Sequence, residues 1–458
     1  MKIIICGAGQ VGSQIARHLS REANDVTIVD QDAGLVRRVT DSFDVNGIVG
    51  FASHPDVLER AGAEDADMLI AATFADEVNM VACQVAHSVF SVPQKIARIR
   101  AQSYLQNRWA DLFRRDHMPI DVVISPELEV ARVAMRRLQN PEAFNIENFL
   151  DGKVRLVGTR LLPDCPVLNT PLRQLSELFS TLKAIVVAYR REGQLHVASP
   201  QDSLLEGDDV YFVAAAEDVT RTLSLFGRES RKVSRVVIVG AGNVGLQVAR
   251  MLEKHSERPR VKMIDRDRQR AERAAEELER TIVLLGDGLD PVLLEEANVR
   301  DADAILSLTY DDKTNLLAAA RGKKAGCRTA IALSNDPSYA ELSDSLGVDA
   351  LLVPRSTTVS SILRHVRRGR VRAVYAVGDA EAEVIEAQVL ATSPIAGKPL
   401  RSAGFPESAI VGAVLTREGV KMPTGDLVIQ EHDRVVVFAR RDVVREVEQL
   451  FRVSVDFF

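Results

Sequence analysis

Lys2-Ile3-Ile4-Ile5-Cys6-Gly7-Ala8-Gly9-Gln10-Val11-Gly12 is a β-branched run that breaks into G-x-G-x-x-G and then into a helical pattern. The same text returns 233 residues later as Arg235-Val236-Val237-Ile238-Val239-Gly240-Ala241-Gly242-Asn243-Val244-Gly245. Outward from these stretches the correspondence continues. Asp30 closes Val26-Thr27-Ile28-Val29, and Asp265 closes Val261-Lys262-Met263-Ile264. The segment from Asp65 to Thr73 matches that from Asp301 to Thr309, and each is followed by Asp and Asn at equal spacing, Asp76 and Asn79, Asp312 and Asn315. One architecture is written twice.

Each copy alternates short apolar runs with helical patterns. In Val11–Leu19 the apolar residues recur at i, i+4 and i+8, one face of a helix. Strand–helix alternation gives a parallel sheet with right-handed crossovers. Fainter repeats follow each copy: Cys165-Pro166-Val167-Leu168 with Ser393-Pro394-Ile395-Ala396, and Glu206-Gly207-Asp208-Asp209 with Glu431-His432-Asp433-Arg434. Short strands broken by Gly, Pro and Asp surround them. The expected fold class is α/β: two doubly wound, Rossmann-like parallel sheets, each followed by a small β-rich α+β domain.

The glycine pattern carries chemistry only in context, and the context is present twice: strand before, helix after, acidic residue about 20 positions on. The first glycine (Gly7, Gly240) permits the tight turn. The second (Gly9, Gly242) lets backbone approach a phosphate, and the third (Gly12, Gly245) lets helix and strand pack closely. Ala8, Gln10 and Val11, like Ala241, Asn243 and Val244, lie on the same loop, where the helix N-terminus offers free N–H groups to an anion. Asp30 and Asp265 are placed to hydrogen-bond ribose hydroxyls and to repel a 2′-phosphate, which favours NAD or ATP over NADP. Arg266, directly after Asp265, would favour a 2′-phosphate, but the aspartate outweighs it. Thr73-Phe74 and Thr309-Tyr310 end the apparent fourth strands, beyond which ligands sit in such sheets; the threonine hydroxyls either cap the next helix or contact the nucleotide. In Lys95-Ile96-Ala97-Arg98-Ile99-Arg100 the two arginines are read as sharing one face of a strand near its C-terminal end, where a guanidinium suits a polyphosphate. The matching stretch Ala330-Ile331-Ala332-Leu333-Ser334 has no cation.

Composition narrows the class. A formal charge of −6 argues against a dedicated nucleic-acid binder, which needs a basic face. The four cysteines, Cys6, Cys83, Cys165 and Cys327, include no C-x-x-C pair, so neither a disulfide framework nor a metal site is expected, and a reducing cytoplasmic setting follows. No stretch approaches the roughly 18 apolar residues of a membrane span, and no secretory signal is expected at the N-terminus. Two basic helical stretches stand out, one from Pro126 through Arg132, Arg136 and Arg137, the other from Pro354 through Arg364, His365, Arg367, Arg368, Arg370 and Arg372. They read either as solvated helix faces or as contacts for a partner or an acidic membrane surface.

A dehydrogenase needs an acid–base group beside the nicotinamide. The histidines, among them His54, His87, His117, His196 and His432, do not recur at matched positions, so binding without catalysis fits better than an NAD-dependent oxidoreductase. A redox-responsive transcription factor would need a helix-turn-helix, and no separate segment is free to form one.

On Gly7–Gly12, Asp30, Gly62-Ala63-Glu64-Asp65-Ala66-Asp67-Met68, Asn79–Ala86 and Ile96–Arg100, the sequence resembles the TrkA-like tandem RCK (regulator of potassium conductance) family, the peripheral regulators of bacterial Trk-type potassium uptake. The resemblance covers the whole chain. It implies an N-terminal RCK domain at 1–124, a linker or crossover helix at 125–144 and a C-terminal RCK domain at 145–228, repeated at 233–354, 355–372 and 373–453. It implies NAD(H) binding, with ATP and ADP competing for the sites and gating transport. It also implies a homo-oligomeric ring of four chains, without direct membrane insertion, on the cytoplasmic face of the inner membrane under an integral K+-translocating subunit of the TrkH or TrkG type. Family members often carry Gly-Asp-Ala or Gly-Asp-Gly after the third strand, near the adenine. The second copy has Gly286-Asp287-Gly288, but the first departs from the pattern with Gly50-Phe51-Ala52.

Overall fold

The structure, a computed structural model, describes residues 1–21, 24–139, 143–179, 181–228, 232–366, 371–377 and 381–451. It forms two compact units, Met1–Met135 with Val233–Val366, and Arg136–Lys232 with Arg367–Phe458.

The first unit holds two α/β lobes. In the first lobe the strands are β1 (Lys2–Cys6), β2 (Asp25–Asp30), β3 (Asn46–Val49), β4 (Met68–Ala71), β5 (Gln94–Arg98) and β6 (Val122–Ile124). They alternate with helices α1 (Gln10–Ser20), α2 (Ala33–Ser42), α3 (Pro55–Arg60) and α4 (Asp76–Ser88), and α5 (Pro126–Gln139) follows. The chain then contributes β7 (Asn145–Phe149), β8 (Val154–Arg160), α6 (Leu172–Leu178), β9 (Ala184–Arg191), β10 (Gln194–Val197), β11 (Asp209–Ala215) and α7 (Val219–Leu225) to the second unit. The second lobe repeats the first: β12 (Arg235–Val239), α8 (Asn243–Lys254), β13 (Arg260–Asp265), α9 (Arg268–Glu277), β14 (Ile282–Leu285) and α10 (Pro291–Glu296). It continues with β15 (Ala304–Ser307), α11 (Asp312–Ala325), β16 (Thr329–Leu333), α12 (Ala340–Ser345), β17 (Ala350–Leu352) and α13 (Pro354–Val366). The last elements are β18 (Val371–Val377), β19 (Ala382–Gln388), β20 (Ala409–Thr416), β21 (Gly419–Lys421), β22 (Arg434–Arg440) and α14 (Val444–Gln449).

Both lobes are parallel sheets, ordered β3-β2-β1-β4-β5-β6 and β14-β13-β12-β15-β16-β17. The order reverses between β1 and β4 and again between β12 and β15, as in doubly wound dinucleotide-binding sheets. Ile3, Ile4, Ile5 and Cys6 are all buried, so β1 reads as an unbroken apolar run because helices cover both faces of the sheet. The α1 helix buries Ile15, Ala16 and Leu19 and leaves Arg17 and His18 in solvent.

The lobes exchange packing. Helix α13 comes from the second lobe's stretch of chain, yet Val359, Ile362 and Val366 enter the core of the first lobe beside Ile15, Leu19 and Ile124. Its last turn is held there by Gln94, whose Nε2 donates to the His365 carbonyl at 2.9 Å. Arg364 reaches Glu129 on α5 at 3.2 Å. The basic residues of α5 are likewise tied into the protein itself: Arg132 to Glu129, Arg136 to Glu147, and Arg137 to the carbonyl of Ala143. These cations form internal ion pairs and bonds rather than a bare basic face. Arg367, Arg368 and Arg370, with residues 229–231 of the charged stretch between the copies, lie outside the described residues, as does the side chain of Arg372.

The second unit contains two five-stranded antiparallel sheets, β10-β9-β11-β8-β7 and β18-β19-β22-β20-β21. They share a core through Phe149, Val213, Val384 and Phe438. The approach is close: a Cβ on Gly412 would lie 2.7 Å from a methyl of Val213. Buried Glu386 accepts the Leu150 N–H at 2.7 Å and also pairs with Arg434, which pairs with Asp151. The faint sequence repeat here is one turn used twice. Asp208 accepts the N–H of Leu205, and Asp433 that of Gln430, each at 2.8 Å.

Truncating Ile362 removes a fully buried side chain from this exchanged packing, and Ile362→Ala should destabilise the first lobe by about 2–5 kcal/mol. Native-state hydrogen exchange should therefore quicken at the β1 amides and not at those of β12. Equal quickening in both strands would assign α13 to the second lobe's own core.

Candidate functional site

The glycines of each loop divide their work as the motif requires. Gly7 adopts φ +107°, and a Cβ there would meet the Ala72 carbonyl oxygen at 2.9 Å. A Cβ on Gly12 would lie 1.8 Å from the Gly7 oxygen, so α1 can seat against β1 only without one. Gly9 is different: no atom lies within 4 Å of where its Cβ would stand, which leaves the space an approaching phosphate needs. Gly9 caps α1 with no side-chain bond to the helix N-terminus, and Gly242 does the same for α8. In the second loop Gly240 and Gly245 repeat the tight approaches, but Gly242 faces the Tyr310 ring, 3.4 Å from its would-be Cβ.

Asp30 and Asp265 are fixed identically. One carboxylate oxygen of Asp30 accepts the Ala8 N–H at 2.7 Å and the other accepts that of Asp32 at 2.9 Å. Asp265 accepts from Ala241 at 2.6 Å and from Asp267 at 2.8 Å. Each oxygen has two lone-pair sites, so both carboxylates are oriented and keep acceptor capacity for a diol.

Beyond the fourth strands the threonines are committed. Thr73 donates its hydroxyl to Asn79 Oδ1 at 2.7 Å, and Asn79 also accepts the Thr73 N–H at 2.9 Å. The Asn79 amide then donates to the Arg98 carbonyl at 2.8 Å, joining the ends of β4 and β5. Thr309, Asn315 and the Leu333 carbonyl repeat every bond. The threonine proton is therefore spent on an inter-strand lock. Three residues before each asparagine, Asp76 takes the N–H groups of Arg100 and Ala101 at 2.9 and 2.7 Å, and Asp312 takes those of Asn335 and Asp336 at 2.9 and 3.1 Å. The equal Asp–Asn spacing in the two copies was the sequence trace of this lock, and it escaped a functional reading.

The same bonds correct the expectation for the arginines. Strand β5 ends at Arg98, and Arg100 stands beyond it because Asp76 gathers its backbone. The Arg100 Nε pairs with Glu127 at 3.2 Å, and its guanidinium lies over Phe74, 5.6 Å from the ring centre. Arg98 occupies the position of Leu333 in the second lobe, since each carbonyl is held by the equivalent asparagine. Among the described residues its Nε is buried without a hydrogen-bond partner, and so is Oε2 of Glu127. Burial, and after it the charge of Arg100, lowers the Arg98 pKa from its usual value. Arg98 lines a cavity of about 210 Å³ that reaches Gln10 and Val11 of the first loop and Gly242, Asn243 and Val244 of the second. Arg355 at the start of α13 borders the same cavity and binds the Gln10 side chain.

The rims differ between lobes. Phe74 is 84% exposed, whereas Tyr310 leans toward its glycine loop under the guanidinium of Arg270, 5.3 Å from the ring centre. Phe51 follows β3 in the first lobe, where the second carries Asp287, whose carboxylate accepts the Leu289 N–H at 2.9 Å. A larger cavity of about 790 Å³ runs along α8, and the carboxylate on its wall, Glu277, is already tied to Arg250 and Arg273. All four cysteines are buried and unpaired, and burial, then the charge of Asp30, pushes the Cys6 thiol up to about 12. Among the described residues no cluster of His, Cys, Asp or Glu could hold a metal, and no helix is long and apolar enough to cross a membrane.

The TrkA-N domain model matches residues 3–126 and 236–354, and the TrkA-C domain model matches 156–227 and 384–452. The chain is 50% identical to the Trk system potassium uptake protein TrkA of Azorhizobium caulinodans, over 100% of both chains. It is 39% identical to that of Halomonas elongata, again over 100% of both. The relative from Vibrio alginolyticus is 38% identical over 99% of each. Among solved structures, the GsuK RCK domain superposes with a TM-score of 0.60 at 15% identity, covering 98% of this chain and 94% of that one. The GsuK channel bound to NAD gives 0.60 at 16%, covering 98% and 78%. These structures share the fold. With both domain models matched twice and relatives aligned from end to end, the chain belongs to the TrkA family of Trk system potassium uptake proteins.

Proposed function

We propose that this chain is a nucleotide-sensing regulatory subunit and not an enzyme: each lobe binds NAD(H), ATP and ADP compete for the sites, and occupancy gates a membrane-embedded K+-translocating subunit of the TrkH or TrkG type. The observation that carries this reading is the pairing, in each lobe, of a glycine loop, open at its second position in the first lobe and faced there by the Tyr310 ring in the second, with an aspartate already oriented by two backbone N–H groups. Those groups fit a nucleoside with a free ribose diol and a phosphate chain. A bound dinucleotide would bring a ribose diol, a pyrophosphate and a nicotinamide whose charge changes with its redox state. The residues that would hold it are Gly7–Gly12 and Asp30 in the first lobe and Gly240–Gly245 and Asp265 in the second. Phe74, Tyr310, Asp287 and the threonines Thr73 and Thr309 border the ligand, and Arg98, with Arg100 beside it, meets phosphate in the first lobe alone.

Against catalysis we weigh the structural bonds that hold the described side chains beside the loops, although Oε2 of Glu127 has no partner among the described residues. Asp76 and Glu127 are bonded to the Arg100 backbone and side chain, and the threonines to their asparagines. The assembly we propose is a homo-oligomer, a ring of four chains held peripherally on the cytoplasmic face of the inner membrane, without contact with nucleic acid. The domain map 1–124, 145–228, 233–354 and 373–453, with crossover helices at 125–144 and 355–372, is part of the same proposal.

Three outcomes are expected. Gly9→Ala and Gly242→Ala should leave thermal unfolding unchanged, since each Cβ has room, while titration calorimetry shows loss of NADH and ATP binding in the substituted lobe; unaltered affinity would remove the loops from the site. In a chain whose second lobe is silenced by Gly242→Ala, Arg98→Ala should weaken ATP roughly tenfold or more and NADH less, since a charge-assisted bond to phosphate contributes about 1.5–3 kcal/mol. Asp30→Ala should weaken both ligands, because both present the same hydroxyls. Equal losses in Arg98→Ala would deny it a role at the further phosphates. Last, purified protein should show no saturable NADH oxidation with carbonyl substrates, and steady turnover would replace the regulatory reading with an oxidoreductase.

A further inference from the structure

Four helices begin at one cavity. Gln10, Pro126, Asn243 and Pro354 are the first residues of α1, α5, α8 and α13, and all four line the space of about 210 Å³ that Arg98 borders. Each helix start carries roughly half a positive charge from its aligned peptides. The first turns of α1, α8 and α13 hold no acidic side chain to offset it. Helix α5 brings two, Glu127 and Glu129, and Glu129 is already held by Arg132 and Arg364.

The side chains lean the same way. Of the residues lining the cavity three are cationic, Arg98, Arg100 and Arg355, and one is anionic, Glu127. Glu127 is paired with Arg100. Arg355 is held by the uncharged Gln10 side chain, and the buried Nε of Arg98 has no partner among the described residues. After the Arg100–Glu127 pair is set aside, two guanidinium charges remain. Arg355 and Glu127 occupy matching positions, each directly after the proline that opens its helix, so this cation is a feature of one copy alone. The cavity belongs to both sites: Gln10 and Val11 of the first loop border it, and so do Gly242 and Asn243 of the second, with Thr309 beyond β15.

We propose that this cavity is a single anion seat shared by the two lobes, filled by the terminal phosphate of a nucleoside triphosphate from one lobe at a time. The inference rests on the nucleotide reading above and extends it, since Arg98 also lines space that the second loop borders. A triphosphate on either loop ends in a free phosphate, the most highly charged part of the ligand. The two phosphates of NADH lie between its two riboses, so it brings no such end. Once one terminal phosphate is seated, it cancels the field that would draw a second, and two like charges in one small space repel. ATP at one lobe therefore opposes ATP at the other, while two NADH molecules meet no such charge. The antagonism is reciprocal, because a coupling free energy between two sites acts equally on both.

Calorimetry on the full chain compares ATP with NADH, in the unsubstituted protein and with one lobe silenced by Gly9→Ala or Gly242→Ala. The unsubstituted chain should take up two NADH molecules but only one ATP with high affinity. Either lobe alone, in a silenced chain, should bind ATP roughly tenfold or more tightly than it does in the unsubstituted chain whose other lobe is filled. The same comparison with NADH should differ by less than about threefold. Arg355→Gln removes the charge and should weaken ATP more than NADH in both silenced chains, whereas a merely structural Arg355 would move both ligands alike. Two equal and independent ATP sites, loss of ATP from one silenced chain only in Arg355→Gln, or binding of NADH alone would overturn the shared seat and leave nucleotide binding standing. If the unsubstituted chain binds neither ligand, the nucleotide reading itself falls and takes this inference with it.

Discussion

In each lobe a carbonyl oxygen stands where a side chain on the third loop glycine would have to be, 1.8 Å from its Cβ position in one lobe and 2.0 Å in the other. That contact fixes how far the first helix can slide along the first strand. With the helix seated, its N-terminus points past the strand's end, and the loop's Ala N–H is brought within hydrogen-bond reach of the aspartate closing the next strand. The carboxylate is thus oriented by the loop, and the loop by the helix. A larger residue at the third glycine would move all three groups together, and for that reason the glycine is better understood as a packing requirement than as a ligand contact.

The locks made by Asn79 and Asn315 show which parts of a duplicated lobe are free to differ. Each buried amide meets four backbone or side-chain partners, and losing it would strand several of them out of reach of water. Both copies keep it. The positions that diverge sit on the rim, where solvent can satisfy whatever is placed there: Phe51 against Asp287 and Phe74 against Tyr310. Arg98 against Leu333 diverges beneath the rim, as does the buried Lys95, paired with Asp121, against Ala330. Leu333 is buried without cost, whereas Arg98 is only partly buried and its Nε has no partner among the described residues. A cation held at that expense, in a cavity that reaches both glycine loops, is an electrostatic difference between the lobes.

Much of this was legible because the deciding signals are local. A β-branched run, three glycines at fixed spacing and an aspartate about 20 residues on give the strand–turn–helix and its neighbour without knowledge of the rest of the chain. What escaped depends on partners distant in sequence. Arg100 reads as a strand residue by alternation, but Asp76, 24 positions earlier, draws its N–H out of the ladder. The threonines read as helix caps or ligand contacts because nothing in the local pattern assigns their protons to an asparagine six residues on. His432 adopts φ +72° where the other copy places Gly207 at +83°, so the turn is dictated by Asp433 and Asp208 and only one copy announces it with a glycine. Hardest of all was α13. Its apolar face predicts a buried helix, yet no periodicity states which core receives it. It completes the first lobe's core while continuing the second lobe's chain. A helix whose N-terminal Arg355 binds Gln10 on one glycine loop, in a cavity that also reaches the other, places both loops in a single packed environment. The sensing proposed for this chain would therefore rest on two loops that border one cavity, so that a change at one loop alters the surroundings of the other.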